Sequence, residues 1–133
     1  MQIDTLTPKI NLLLGWLWIL LSFGTGMILG LFFHRENWLG GYTSLKRRMY
    51  RLGHISLAAL GALNLLFYFT VLRTPMAGPL TGFSSWMFVV GTISMPVCCL
   101  VMANYPAAHL IFAIPVVSLL AAAVSTLLEV IKL

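Results

Sequence analysis

From Ile10 to Phe33 the chain runs for 24 residues without a charged side chain. As a helix this run is about 36 Å long at roughly 1.5 Å per residue, enough to cross a hydrocarbon core about 30 Å thick with some tilt. Three more apolar runs follow, over about 52–72, 83–103 and 108–130, separated by short polar connections. Of the 133 residues, 60% are hydrophobic and only 8% are charged, where a soluble domain has roughly 25%. So little polar surface cannot cover a water-soluble fold of this size. The expected fold class is therefore an all-α integral membrane protein, a single domain of four transmembrane helices joined up-down-up-down.

The connection over 34–51 breaks this apolar pattern. It holds Arg35, Lys46, Arg47, Arg48 and Arg51, five of the eight basic residues, along with His34 and Glu36. Gly40-Gly41 interrupts helix, and Ser44 can cap a new one. Leu45, Met49 and Leu52 then recur on one face, with the basic residues on the others. That pattern predicts a short amphipathic turn at the membrane surface, leading into the second span. The other face of the membrane receives Lys9, Arg73 and Lys132. Five basic residues against three place 34–51 in the cytoplasm and both termini on the opposite side, in a bacterial-type cytoplasmic membrane. A net charge of +5 would otherwise suggest nucleic acid. Concentrated beside a span, it points to anionic lipid headgroups or an acidic partner subunit instead.

Local signals refine each span. Thr7-Pro8 reads as a helix start, and the opening Met1-Gln2-Ile3-Asp4-Thr5 lacks the positive region of a cleaved signal, so the first span is expected to be retained. Ser22, Gly26 and Gly30 form a small-residue stripe on the first helix, and Ser118, Ala122 and Thr126 form another on the fourth. Such stripes let helices approach closely. Asn64 is the one strongly polar residue deep in the second span, and its amide must find partners inside the bundle. Pro96 should kink the third span and leave the Thr92 carbonyl without its helical donor, and Pro115 should kink the fourth. Trp16, Trp38 and Trp86 lie near span ends, where tryptophan anchors helices at the interface, and Trp18 sits deeper.

Chain direction brings His34, His54 and His109 to the same end of the bundle. Two neutral imidazoles on different helices are what a six-coordinate b-type haem requires, so His54 and His109 are a candidate axial pair. Arg47, Arg48 and Arg51 would then meet the propionates, or else anionic lipid. Met95, Cys98, Cys99 and Met102 recur at helical spacing, and thiolate with thioether suits a soft ion of the copper or mercury type. Methionine and free cysteine are also ordinary core residues. The adjacent Cys98-Cys99 pair cannot staple distant segments, which excludes a disulfide framework. No carboxylate falls at mid-membrane, and there is no paired acid set or phosphate-binding glycine loop. The expectation is a non-catalytic subunit or assembly partner of a larger membrane complex, such as a respiratory or redox one, with other membrane subunits or further copies of itself as partners. Haem-based electron transfer and soft-metal carriage are the alternatives.

Overall fold

The computed structural model describes residues 7–76 and 78–133. Asp4, Ala77 and the side chain of Thr7, expected to cap the first helix, lie outside the described residues and side chains. Four long helices dominate: α1 (Thr7–Phe32), α2 (Leu45–Arg73), α3 (Pro79–Asn104) and α4 (Ala113–Ile131), the last preceded by a 3₁₀ segment, Pro106–Phe112. There is no strand among the described residues. The stretches Pro8–Phe32, Leu45–Arg73, Pro79–Asn104 and Pro106–Ile131 are each long and apolar enough to cross a membrane.

Helix ends follow local chemistry. The second helix begins at Leu45 rather than near 52, because the amphipathic turn is continuous with the span behind it. Its cap is the expected one: Ser44 Oγ accepts the Arg47 backbone N–H at 3.1 Å and donates to the Leu39 carbonyl at 2.6 Å. The third helix starts at Pro79, where a missing N–H costs nothing. The fourth departs further from the expected continuous helix. Residues 106–112 take the tighter 3₁₀ form, kinked at Ala108, and α geometry begins only at Ala113. Pro115 explains this, since its ring would clash with the carbonyl of Ile111 in a continuing α-helix. Placed in the first turn of α4 it needs no donor.

The two prolines free two carbonyls, and neither is left bare. Pro96 lies inside α3 and cannot donate to Thr92. The Trp18 indole on α1 does so instead, Nε1 to Thr92 O at 3.0 Å. Opposite Pro115, the Ile111 carbonyl receives the Cys98 thiol at 3.4 Å. Apolar surroundings offer no water to satisfy these groups, so side chains from neighbouring elements must.

α3 packs against α2 on one side and α4 on the other, while α1 packs mainly on α2 and to a lesser extent on α3. α1 and α4 make at most marginal contact, so their outer faces stay open. α1 meets α2 backbone to backbone at Gly15 and Gly61: a Cβ added to either would come within 2.9 Å of the other's carbonyl oxygen. This pair, not the Ser22–Gly26–Gly30 stripe, makes the closest approach. Ser22 is buried, Gly26 faces His54, and Gly30 has no neighbour. On α4 the buried face is Pro115, Ser118, Ala122, Ser125 and Glu129. Strict steps of four drift around a helix, whereas alternating steps of three and four hold one face. Thr126 is therefore only half-buried, and it is Ser125 that reaches Ser84 of α3 at 2.6 Å. Phe67 and Phe88 meet at a tilt of 53°, ring centroids 5.1 Å apart, beside the fully buried Ala122 to form the apolar core.

A polar network ties α1, α2 and α3. Asn11 Nδ2 donates to Asn64 Oδ1 at 2.8 Å and to the Ser85 carbonyl at 3.3 Å, and the Ser85 hydroxyl donates back to Asn11 Oδ1. Asn64 Nδ2 donates to Thr92 Oγ1 at 2.6 Å and to the Leu60 carbonyl at 2.9 Å.

The proline account can be tested by a double-mutant cycle in detergent, following unfolding by denaturant titration. Trp18→Phe keeps the ring but strands the Thr92 carbonyl, and should cost about 1 kcal/mol. In the Pro96→Ala background the helix supplies its own donor, and most of that cost should vanish. Equal costs in both backgrounds would show that the indole bond does not replace the lost helical one.

Candidate site around His54

His54 lies on α2, one turn past the basic connection, between Tyr50 and Leu57 on the same face. Across from it on α1 are Thr25 and Gly26. Thr25 Oγ1 lies 2.8 Å from the Leu21 carbonyl and 3.1 Å from that of Ser22, the back-bonding pattern of a hydroxyl inside a helix. It also lies 3.0 Å from His54 Nδ1, toward which it donates or accepts according to the imidazole tautomer. In the Nδ1–H tautomer both groups are satisfied, Nδ1 donating to Thr25 Oγ1 and the hydroxyl to its own helix, which leaves a lone pair on Nε2. No protein group bonds Nε2 among the described residues, and it is not sealed from its surroundings. Gly26 is what admits the ring: a Cβ there would stand 2.9 Å from Cε1 and 3.4 Å from Nε2.

Two cavities flank the ring. The larger, about 240 Å³, is walled by Thr25, Ile28, Leu29, Tyr50, Gly53, His54, Leu57, Pro96 and Leu100, so it is built by α1, α2 and α3 together. Its lining is almost wholly apolar. The second, about 230 Å³, lies toward the connection and is lined by Gly26, Leu29, Gly30, Phe33, Arg51, His54 and Ile55. Gly53 keeps α3 close beneath the site, where a Cβ would touch that of Cys99 at 3.4 Å.

The basic connection is more ordered than a charged loop requires. Arg47 is turned inward, with 1% of its surface exposed. Its Nη2 donates to the Phe33 carbonyl at 2.5 Å, and its Nη1 to Arg35 at 3.1 Å and Glu36 at 3.5 Å. The guanidinium lies 4.0 Å from the Tyr42 ring centre, 5.0 Å from Phe33 and 5.6 Å from Trp38. Carbonyl dipoles and ring faces replace water around the charge, a role suited to the planar arginine fork. Arg48 and Arg51 stay exposed, and Arg51 rests 5.6 Å from the Phe33 ring centre. Two residues that sequence reasoning passed over therefore matter most: Thr25, indistinguishable from any threonine in an apolar helix, and Arg47 as a structural centre, which looked like one basic residue among four.

The remaining candidates are dispersed. His109 is exposed on the 3₁₀ segment before α4, and His34 is exposed after α1. Cys98 bonds the Ile111 carbonyl while Cys99, wholly buried, abuts Gly53 of α2, so the two thiols meet different neighbours. Met95 and Met102 are half-buried on α3. No three His, Cys, Asp or Glu residues cluster as metal ligands among the described residues. Glu129 is 7% exposed, with its carboxylate against Gly78 at the start of α3 and 3.7 Å from Lys132. The partial positive charge of a helix N-terminus favours an anion there.

No known protein family, curated protein or solved structure matches this chain.

Arg47→Lys keeps the charge but cannot span the Phe33 and Arg35 carbonyls with a planar fork. Hydrogen bonds to charged groups contribute about 1.5–3 kcal/mol, so residues 34–44 should open and be cut by protease at least tenfold faster. Arg48→Lys, at an exposed position, should leave the rate unchanged. Protection that survives Arg47→Lys would show the knot is not held by the fork.

Proposed function

We propose that this protein is a non-catalytic integral membrane subunit, or assembly partner, of a larger membrane complex. One observation carries the reading: both buried amides and four of the buried hydroxyls are spent on holding the helices together. Asn11, Asn64, Ser84, Ser85, Thr92 and Ser125 bond to one another across helix interfaces. A carrier or enzyme needs polar groups free to meet a substrate, whereas a structural subunit does not. The outer faces of α1 and α4 are open, and Gly24 and Gly30 on α1 meet no neighbour, so another helix can approach closely there.

In this reading the four helices run up-down-up-down through a bacterial-type cytoplasmic membrane. The pairing of Asn11 with Asn64 and of Thr25 with His54 supports antiparallel α1 and α2. The 34–51 connection faces the cytoplasm, and Arg35, Lys46, Arg48 and Arg51 meet anionic headgroups at about 1 kcal/mol each. The haem pair His54–His109 and the soft-ion set Met95, Cys98, Cys99 and Met102 gain no added support, since their members meet separate neighbours.

Two measurements test the proposal. A tagged chain solubilised in mild detergent should run on native gels well above its own mass and carry other membrane chains with it. A single species at the monomer mass defeats the subunit reading. In intact cells, protease should remove a tag at either terminus from the outer side while sparing one inserted after Gly41. The reverse pattern overturns the orientation.

A further inference from the structure

We propose that the cleft beside His54 is a binding site for a membrane-soluble ligand with an apolar body and a hydroxyl head that donates one hydrogen bond to His54 Nε2. The inference stands apart from the subunit reading and does not depend on it.

Three observations converge. The larger cavity offers about 240 Å³ of almost wholly apolar lining, suited to a ring or a stretch of chain and unsuited to a charged head. His54 is the titratable group that both cavities share. We infer the tautomer from Thr25: a hydroxyl inside a helix back-bonds to its own carbonyls, here Leu21 and Ser22, which makes Nδ1 the donor across the 3.0 Å contact and leaves Nε2 with a lone pair. The chemistry of the missing partner follows. A carbonyl or ether oxygen would face that lone pair with one of its own, while a hydroxyl would complete the bond. Nε2 itself has no hydrogen-bond partner among the described residues and is open to the cavities.

Two sources share this chemistry, a reduced quinol and a hydroxyl-bearing lipid such as a diacylglycerol. Both can be presented to the full-length chain in lipid nanodiscs under anaerobic conditions. The probes are a decyl-substituted benzoquinol, its dimethyl ether, its oxidised benzoquinone and dioctanoylglycerol. Nitrogen NMR of histidine-labelled protein, with His54 assigned from a His54→Gln spectrum, reports the tautomer and the state of Nε2.

The free protein should show His54 as the Nδ1–H tautomer. Benzoquinol, dioctanoylglycerol or both should shift the Nε2 signal, and the benzoquinol should bind about tenfold more tightly than its ether or its quinone, the value of one hydrogen bond. Which donor binds identifies the source. Leu100→Trp fills the cavity from an exposed position whose side chain makes no hydrogen bond, and should block binding while leaving the tautomer signal unchanged. Thr25→Val releases the tautomer and should erase most of the preference for quinol over quinone. An Nε2–H tautomer in the free protein, equal binding of quinol and ether, or no shift from either donor would each overturn the proposal.

Discussion

The paired amides of Asn11 and Asn64 set the register of the fold. Each uses its donors and its acceptor inside the protein, and together they reach three helices. Interhelical hydrogen bonds in apolar surroundings average only about 0.6 kcal/mol, so the network is not a large store of stability. Its influence lies in what it forbids. Sliding α1 along α2 by one turn would leave both amides unpaired in a region without water, at about 1–3 kcal/mol for each stranded group. Apolar packing tolerates many registers, and these bonds select one. The contact of Gly15 with Gly61 lies next to the amides, where a fixed register makes so close an approach possible.

The same scarcity of water governs the prolines. A kink is tolerated where a neighbouring group can take over the freed carbonyl, and here the two substitutes are an indole and a thiol. This accounts for residues that look available in the sequence. Trp18 sits deeper than an interfacial anchor because its N–H serves Thr92. Cys98 resembles half of a metal-binding pair, yet it serves the carbonyl opposite Pro115. In an apolar bundle, a polar side chain is first of all a possible answer to a backbone vacancy.

Much of the fold was legible in the sequence. Charge-free length marked the four helices, Ser44 marked the start of α2, and Pro96 pointed to Thr92 as a carbonyl in need of a donor. Features that depend on which face meets which neighbour were not legible. The 3₁₀ form of 106–112 follows from Pro115, and the α4 stripe shifts from Thr126 to Ser125 because real helix faces drift against a spacing of four. At the candidate site, His54 stood out because ionisable residues are rare in such a chain, but its partner Thr25 did not. A threonine in an apolar helix is one of many, and only the packed structure shows which of them meets a histidine across an interface. Arg47 was hidden for a similar reason: four basic residues in a row of six look alike until one of them turns inward.

The position of His54 between two clamps gives the site its definition. At one end, Arg47 of α2 binds the Phe33 carbonyl where α1 ends. At the other, Asn64 of α2 binds Asn11 where α1 begins. Thr25 and His54 lie between these two crosslinks, so the spacing of α1 and α2 there is held from both sides. A ligand that meets a prearranged imidazole does not have to order the protein around it, and that ordering cost is usually what weakens recognition through a single hydrogen bond. The walls contributed by Pro96 and Leu100 are held less directly, through Trp18 on the Thr92 carbonyl and the contact of Cys99 with Gly53. The rigid α1–α2 side thus presents the polar atom, and the α3 side closes the apolar half of the cleft.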